Sequence, residues 1–546
     1  MNRILIGLIL MLTMMETFSQ TDRYVVFFTD KIGPEYPFRL SKPSDFLSEK
    51  AINRRVKDNI AIDSLDLPVH PLYADSLKSL GIDLYFTSKW MNAAIIQTED
   101  SMIASIAPLD FVDSIALIAK GEKLSRKTVD FELPVEFEDP PSVSATTDLQ
   151  LAILQADVMH RKGIYGEGLL IAVLDNGFRG VDKFKPFEHL WSNNQIIASK
   201  DFVENSGNVF RLGDHGTSVF STIGAKYGDE FSGTAYGASF VLCITEENGS
   251  EDRVEEYNWL LGAEFADSVG VDIINSSLGY RSFDIKEHNY DYDDLDGETT
   301  IISRAAKIAS EKGMLVVISA GNHGDNPPNK WRYITPPADV AQVLTVGSVN
   351  PDLTWTAFSS LGPASNGTIK PDVAALGLGA TIVRGNGSIT RGNGTSYSAP
   401  QMAGYAAGVW QTNPEWSSME VIEAIRSAGH NSHDPDTLIG SGVPFYTYIK
   451  TGKAIQLSDV LDELVYFYPN PFTGDKLVFQ TEEGLKGKLE LEITDGEGNI
   501  LQEGSIRLSK SETHYEFAMK SVQEGLYFLS LQYDNQKKVI KLINFQ

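Results

Sequence analysis

Between residues 148 and 459, short continuous apolar runs alternate with stretches that carry apolar residues at helical spacing. The runs lie at 169–174, 240–244, 271–274, 314–319 and 343–346, and helical spacing covers 254–269 and 299–312. Continuous apolar strands that alternate with helices are typical of a parallel sheet covered on both faces. Ligands bind such sheets at the carboxyl ends of the strands. The pattern therefore predicts an α/β domain with its site at that edge.

The flanking regions follow other patterns. Residues 21–120 contain strand patterns at 24–28 and 92–96 and a helical pattern near 99–107, which predict a small α+β domain. Residues 121–147 are rich in proline and glutamate, as expected of an extended linker open to proteolysis. Residues 463–546 hold alternating stretches at 489–494, 526–531 and 539–543 between turn signals. This last pattern predicts a small antiparallel β-sandwich.

The first 20 residues have the pattern of a secretory signal peptide. Arg3 precedes an apolar run of 12 residues at 4–15, and small residues lie near Ser19. The run is too short to span a bilayer as a helix. A membrane anchor or a buried helix is the alternative interpretation. Because no cysteine follows the run, a lipoprotein anchor is disfavoured, and we expect an exported protein.

Composition and charge exclude some classes of protein to which the chain could belong. The chain has 546 residues, which corresponds to about three or four domains. Its 73 acidic and 46 basic side chains give a net charge of −27, which argues against a nucleic-acid partner. Cys243 is the single cysteine, so the chain has no internal disulfide and no CxxC metal or redox motif.

Three segments carry candidate catalytic side chains. Asp175 ends the first apolar run, His215 opens a helical segment after Gly213, and Ser396 follows Gly394 at the start of a helix of small residues. Each residue alone has a common structural explanation, as a turn aspartate, a capping histidine or an N-cap serine. A serine at the N-terminus of a buried helix is, however, fixed in position and favours developing negative charge nearby.

Chain order separates three unrelated hydrolase designs, and the order Asp175, His215, Ser396 is the one found in subtilisin. The context of Ser396 is not the Gly-x-Ser-x-Gly elbow of α/β-hydrolases. The apolar strand at 316–319 leads to Asn322, whose amide can donate a hydrogen bond to an oxyanion. A turn asparagine is the alternative interpretation.

These segments resemble the subtilisin-like serine proteases, or subtilases, over about 300 residues. Further matching segments lie at 275–279, 346–349, 358–363 and 370–375. The resemblance implies an α/β catalytic domain over 148–459 with a doubly wound, mostly parallel sheet. Two positions depart from the family pattern, since Ser218 replaces a second histidine and Asn176 replaces Thr or Ser. Neither position belongs to the catalytic triad.

The resemblance also implies the roles of the site residues. It implies hydrolysis of protein or peptide substrates through an acyl-enzyme, with broad specificity and no cofactor required for the chemistry. The substrate would bind as an added β-strand. The implied residues are Asp175, His215 and Ser396 for catalysis, Asn322 for the oxyanion hole, and Ser277, Leu278 and Gly279 for substrate binding.

An acidic loop at 280–300 follows the substrate-binding segment. It carries seven carboxylates against Arg281 and Lys286. Three interpretations remain open: a solvated loop, a preference for basic substrate side chains, or a structural calcium site. The run 293–297 resembles part of an EF-hand loop, but Tyr292 and Ser303 occupy two of the required ligand positions, so the metal content is unknown.

The regions on both sides of the α/β domain resemble accessory domains. Residues 21–120 resemble a subtilase propeptide, which implies an inhibitor of the enzyme that is removed by cleavage within 121–147. The alternative is a permanent extra domain. Residues 463–546 resemble the C-terminal sorting domain of type IX secretion, through motifs at 468–471, 524–528 and 537–541. This implies a Gram-negative bacterium, passage through the periplasm, outer-membrane secretion machinery as a partner, and a secreted or cell-surface location. A carbohydrate-binding module is the alternative.

A secreted serine endopeptidase is thus the predicted function. Two alternatives come from other classes: a binding protein built on an inactive subtilase fold, and a hydrolase of non-peptide acyl groups.

Overall fold

The computed structural model describes residues 21–31, 39–121, 136–211, 213–247, 249–449 and most of 465–544, where short gaps separate the strands. The signal peptide predicted at 1–20 and much of the predicted linker lie outside the described residues. The chain forms two compact units: residues 68–124 with the N-terminal 33, and residues 34–67 with 125–546. Residues 39–67, inside the predicted propeptide, therefore belong to the second unit.

The first unit is an antiparallel sheet with two helices. Strand β1 pairs with both β3 and β4, and the strand order is β2-β3-β1-β4. Val26, Leu77, Ile96 and Ile106 are fully buried between the sheet and the helices. The elements are β1 (Thr21–Phe28), α2 (Pro71–Ser79), β2 (Asp83–Ser88), β3 (Ala93–Glu99), α3 (Asp100–Ile106) and β4 (Val112–Ala119).

The second unit contains a parallel sheet of seven strands. These are β5 (Leu170–Asp175), β6 (Ile196–Asp201), β9 (Ser239–Ile244), β10 (Ile273–Ser276), β11 (Leu315–Ser319), β12 (Leu344–Val349) and β13 (Val373–Leu376). Their order is β13-β12-β11-β10-β5-β9-β6. The direction of winding reverses at β5, which lies between β9 and β10. A reversal of this kind opens a crevice at the carboxyl end of the sheet.

The predicted apolar runs match five of these strands, because β5 and β10–β12 are buried along their whole length and β9 almost so. Cys243 lies buried in β9. The run predicted at 271–274 is shifted, since β10 begins at Ile273. Two short antiparallel pairs accompany the sheet: β7 (Lys226–Tyr227) with β8 (Phe231–Ser232), and β14 (Ala380–Val383) with β15 (Ile389–Gly392).

Helices cover the sheet. They are α1 (Glu49–Lys57), α4 (Asp148–Leu154), α5 (Ala156–Arg161), α6 (Glu188–Ser192), α7 (His215–Gly224), α8 (Val254–Val269), α9 (Ile301–Glu311), α10 (Thr395–Thr412) and α11 (Ser418–Ser427). Helix α10 is almost wholly buried, because its small residues allow close packing. The predicted helices at 254–269 and 299–312 are α8 and α9.

The C-terminal strands form two antiparallel sheets. One has the order β16-β17-β20 and the other β19-β18-β21-β22. Phe479 of the first sheet and Leu491 and Leu529 of the second belong to one apolar cluster, as expected of a sandwich. The strands are β16 (Val465–Tyr468), β17 (Lys476–Thr481), β18 (Gly487–Asp495), β19 (Ile500–Leu508), β20 (His514–Ala518), β21 (Gly525–Tyr533) and β22 (Gln536–Asn544).

No helix in the described ranges is both long and apolar enough to cross a membrane.

Candidate active site

Asp175 and His215 are joined by a hydrogen bond at the carboxyl end of β5. Asp175 is the last residue of the strand, and its side chain is fully buried. Its Oδ1 accepts from the Asn176 backbone N–H and from His215 Nδ1, both at 2.8 Å. Because an ionised carboxylate only accepts hydrogen bonds, Nδ1 carries the proton and leaves Nε2 available.

A close approach of two backbone segments positions His215. The preceding Gly213 has a φ of +80°, and a Cβ there would lie 2.3 Å from Asn176 Oδ1. Only glycine therefore fits where the chain passes Asn176 and turns into α7. Burial opposes protonation of His215, but the charge of Asp175 and its hydrogen bond outweigh burial and raise the pKa of the imidazole. A third of the side chain stays exposed.

Ser396 is the second residue of α10, and its backbone and side chain contact Ser277. The Ser277 hydroxyl donates to the Ser396 carbonyl at 2.9 Å. The Ser396 hydroxyl lies 3.5 Å from the Ser277 carbonyl oxygen, which is a weak contact. No hydrogen bond joins Ser396 to His215 among the residues described, but the ring of the adjacent Tyr397 lies 6.3 Å from the imidazole, centroid to centroid.

Asn322 follows β11 and is held by the first residue of α10. The Thr395 backbone N–H and hydroxyl donate to Asn322 Oδ1 at 2.9 and 3.1 Å. Because a backbone N–H can only donate, these bonds fix which end of the amide is oxygen and turn Nδ2 the other way. A Cβ built on Gly394 would lie 3.7 Å from both Asn322 Nδ2 and the Ser396 backbone nitrogen. Two donors thus border the same small volume.

The predicted substrate-binding residues directly follow β10. Ser277 is buried, Leu278 is half-buried and Gly279 is exposed. The next residue, Tyr280, is anchored by a backbone hydrogen bond of 2.9 Å to the carbonyl of Pro336. The segment therefore continues the buried strand towards the surface on the side of Ser396.

A half-buried carboxyl group near the catalytic pair was not predicted from the sequence. Glu246 follows β9 and accepts a hydrogen bond from the Tyr280 hydroxyl. Burial, with Glu251 and Asp175 nearby, raises the pKa of Glu246 to about 8, although the Tyr280 bond and His215 act in the opposite direction. The one available signal was the position of Glu246 just past the end of an apolar strand.

Three of the seven acidic side chains of the loop at 280–300 serve as turn caps. Asp296 Oδ1 accepts from the backbone N–H groups of Glu298 and Thr299 at 2.8 and 2.7 Å. Asp291 and Asp294 form a reciprocal cap on a short helical turn. Within the described parts of the chain, no three acidic, histidine or cysteine side chains converge as a metal site.

Three family models match the chain. One described as the subtilase family matches residues 166–442, which is half of the chain. One described as a peptidase S8 propeptide domain of Bacteroidota matches 23–130. A third, described as a secretion system C-terminal sorting domain, matches 466–544.

Individual relatives show the same likeness. The major intracellular serine protease of Bacillus subtilis is 30% identical over 263 residues, which are 47% of this chain and 73% of that protein. Subtilisin NAT of Bacillus subtilis subsp. natto is 28% identical over 278 residues, covering 50% of this chain and 64% of the relative. The crystal structure of MycP1 from Mycobacterium smegmatis is 22% identical with a TM-score of 0.45, over 62% of this chain and 95% of that one.

A parallel α/β sheet with the Asp175–His215 pair at its carboxyl edge fits a hydrolase, and the family match is more specific. The chain belongs to the subtilase family of serine endopeptidases. It also carries a propeptide domain and a type IX sorting domain, so it is a secreted or cell-surface protein of a Gram-negative member of the Bacteroidota. The predicted family, fold class and location are confirmed.

Proposed function

We propose that this chain hydrolyses peptide bonds with Ser396 as nucleophile, His215 as general base and Asp175 as the residue that orients the imidazole. The observation that carries the proposal is the 2.8 Å hydrogen bond from His215 Nδ1 to Asp175 Oδ1. It directs Nε2 away from Asp175, and the helix that bears Ser396 passes beside the imidazole at Tyr397.

The reaction begins when His215 Nε2 removes the Ser396 proton as Oγ attacks the carbonyl carbon of the scissile bond. A serine hydroxyl needs such a base, because it is a poor nucleophile at neutral pH. The imidazolium then gives the proton to the leaving amine, and an acyl-enzyme remains. Water attacks the ester with the same base and restores Ser396. The hydrogen bond between serine and histidine often forms only when substrate binds, in agreement with the contacts of the free site.

The oxyanion is stabilised by Asn322 Nδ2 and the Ser396 backbone N–H. Both nitrogens border the volume in front of Gly394, and Thr395 prevents the amide from turning over. Donors that are fixed before the reaction stabilise developing charge without reorganisation. The N-terminus of α10 adds a favourable dipole at the same place.

The peptide substrate pairs with the main chain of Ser277, Leu278 and Gly279. Recognition through backbone hydrogen bonds depends weakly on side chains, which supports broad acceptance along most of a peptide. Subtilases need no cofactor for catalysis. A structural calcium ion was an alternative for the loop at 280–300, but the contacts of Asp291, Asp294 and Asp296 support turn capping.

The family matches at 23–130 and 466–544 support two of the accessory regions. We propose a signal peptide at 1–20, an inhibitory propeptide at 21–120, a processed linker at 121–147, the peptidase domain at 148–459 and a sorting domain at 463–546. The propeptide is then the enzyme's first ligand, and the outer-membrane secretion machinery recognises the sorting domain.

Degradation of casein, together with labelling by a fluorophosphonate probe, tests the proposal. A serine endopeptidase degrades casein and takes up the probe at Ser396. Labelling with ester hydrolysis but intact casein would instead indicate a non-peptide acyl hydrolase. A processed protein that neither degrades casein nor takes up the probe would be an inactive binding protein.

A further inference from the structure

A cavity of about 570 Å³ lies beside the proposed oxyanion hole. Gly279, which ends the proposed substrate-binding segment, lines one side, and His323, the residue after Asn322, lines another. A substrate that pairs with residues 277–279 and places its reacting carbonyl at Asn322 has one side chain beside both Gly279 and His323. That side chain belongs to the residue on the acyl side of the scissile bond.

The wall of the cavity is built closely around Gly279. A Cβ at Gly279 would lie 2.2 Å from Thr335 Oγ1, so the strand backbone rests directly on Thr335. The opposite wall is a folded loop. Asn326 Nδ2 donates to the Trp331 carbonyl at 2.7 Å, and Asn326 N–H donates to the His323 carbonyl at 3.1 Å. These bonds give the cavity a defined shape before substrate binds.

The lining of the cavity is cationic, although the chain as a whole carries a net charge of −27. Arg281 and Lys330 line it, together with His323, and Glu251 is the acidic lining residue. Neither Arg281 nor Lys330 has a carboxylate within ion-pair distance in the part of the chain that the structure describes. This absence is unusual for an arginine whose Nε is buried and without a hydrogen-bond partner.

Arg281 is nevertheless held in place. Its guanidinium lies over the Trp331 ring, 4.1 Å from the centroid, and Nη1 donates to Ser282 Oγ at 3.0 Å. Burial lowers the pKa of Arg281 and the distant charge of Asp291 raises it, but a guanidinium stays protonated in proteins. An oriented cation with open donors is the group that proteins use to bind a carboxylate.

The other titratable groups oppose this charge weakly. Burial and the carboxylates of Asp284 and Asp252 raise the pKa of Glu251 to about 7, so Glu251 is only partly ionised at neutral pH. Burial and Arg281 lower the pKa of His323, which leaves that ring neutral, and Asp325 opposes the shift. The cavity therefore keeps a net positive charge near neutrality.

We propose that this cavity binds the side chain before the scissile bond and that Arg281, assisted by Lys330, selects an acidic side chain there. The inference rests on the proposed function and refines its broad specificity at one position. It also reverses one expectation for the loop at 280–300, because Arg281 is the charged residue which that loop contributes to the cavity, beside the neutral Ser282. The substrate class is then acidic peptides, cleaved after glutamate or aspartate.

Three peptides that differ only before the scissile bond test the proposal: one each with Glu, Gln and Lys. For the wild-type processed enzyme we expect kcat/KM for the Glu peptide to exceed that for the Gln peptide at least tenfold, with the Lys peptide cleaved most slowly. Arg281→Gln should reduce cleavage of the Glu peptide about tenfold and leave the Gln peptide within about twofold. Arg281→Glu should make the Lys peptide a better substrate than the Glu peptide.

Two controls keep the test decisive. Arg391→Gln removes an exposed arginine of β15 and should leave all three rates unchanged. Lys330→Gln leaves the Arg281–Trp331 stack intact, so it removes a positive charge without loosening the loop. It should also weaken the preference for the Glu peptide. Equal cleavage of the three peptides by wild type, or an equal loss on all three in Arg281→Gln, would overturn the assignment of the cavity. In either case hydrolysis that depends on Ser396 would show that the proposed function still stands.

Discussion

Arg55 Nη2 donates to both carboxylate oxygens of Asp267 at 2.9 Å, and neither side chain is more than 1% exposed. Arg54 Nη2 donates to the same carboxylate at 2.7 Å. Asp66 and Lys312 extend this buried network, with 2.9 Å between Asp66 Oδ2 and Lys312 Nζ. Residues 39–67 of the propeptide region are thereby tied to the ends of α8 and α9 in the second unit.

We predict that Asp267→Asn destabilises the unprocessed protein by about 3–5 kcal/mol, because it leaves two buried arginines without a full counter-charge. Denaturant unfolding of the Ser396→Ala protein, which cannot digest itself, measures the change. Asp157→Asn is the control, since its ion pair with Arg161 is exposed and is worth about 0–1 kcal/mol. Equal unfolding midpoints for the two variants would show that the network does not stabilise the fold.

Processing should leave residues 138–144 on the mature enzyme. The Glu138 N–H donates to the Lys183 carbonyl and the Lys185 N–H to the Glu138 carbonyl, both at 2.9 Å, and Ser144 is similarly bonded to Ile389. Cleavage before Glu138 keeps these bonds in the peptidase unit. Mass spectrometry of the secreted protein should therefore find its N-terminus between about Lys120 and Glu138. An N-terminus beyond Ser144, or Thr21 still attached, would contradict the assignment.

The activity should fall at acidic pH as His215 becomes protonated, because an imidazolium cannot accept the Ser396 proton. The pKa of His215 is raised, so this loss begins above the ordinary value of about 6.5. Asp175→Asn removes the charge that raises the pKa, and the acidic limb of kcat/KM should move to lower pH. The same change should lower the plateau rate by about 10⁴-fold. If the acidic limb of kcat/KM lies at the same pH in Asp175→Asn as in wild type, His215 is not the base.

Asn322→Ala should lower kcat by about 10²–10³-fold with little change in KM, the range known for loss of such a donor in a subtilisin. The reason is that Asn322 Nδ2 acts on charge that develops only in the transition state. Asn350→Ala, at a half-buried turn position, is the matched control. A rise in KM with unchanged kcat would place Asn322 in ground-state binding instead.

The sequence predicted the central strands of the sheet well. Strands such as β5 and β11 appear as continuous apolar runs because both faces are covered. Both edge strands were missed: β6 because its residues are mostly half-exposed and its pattern breaks at Ser199 and Lys200, and β13 because this buried strand has only four residues, two of them alanine. The catalytic candidates were visible because each follows or opens a recognisable element.

Clusters of residues that are distant in the chain could not be predicted from these patterns. Arg281 and Lys330 are far apart in the chain and meet only through the folding of two loops. The acidic composition of 280–300 left a solvated loop, a calcium site and a basic substrate open, whereas Asp291, Asp294 and Asp296 cap turns and Arg281 lines the cavity. Likewise, nothing in the pattern of 39–67 indicated buried arginines, because charged residues on a short helix usually face solvent.

The most direct test of the central claim compares wild type, Ser396→Ala and Ser388→Ala on casein and on a fluorogenic peptide. Ser388 is a half-buried serine in the turn before β15, so its variant controls for loss of a hydroxyl. We expect Ser396→Ala to fold with an unchanged unfolding midpoint and to lose peptide hydrolysis by more than about 10³-fold. Ser388→Ala should match wild type. Equal hydrolysis by wild type and a folded Ser396→Ala protein would contradict the assignment of Ser396 as nucleophile.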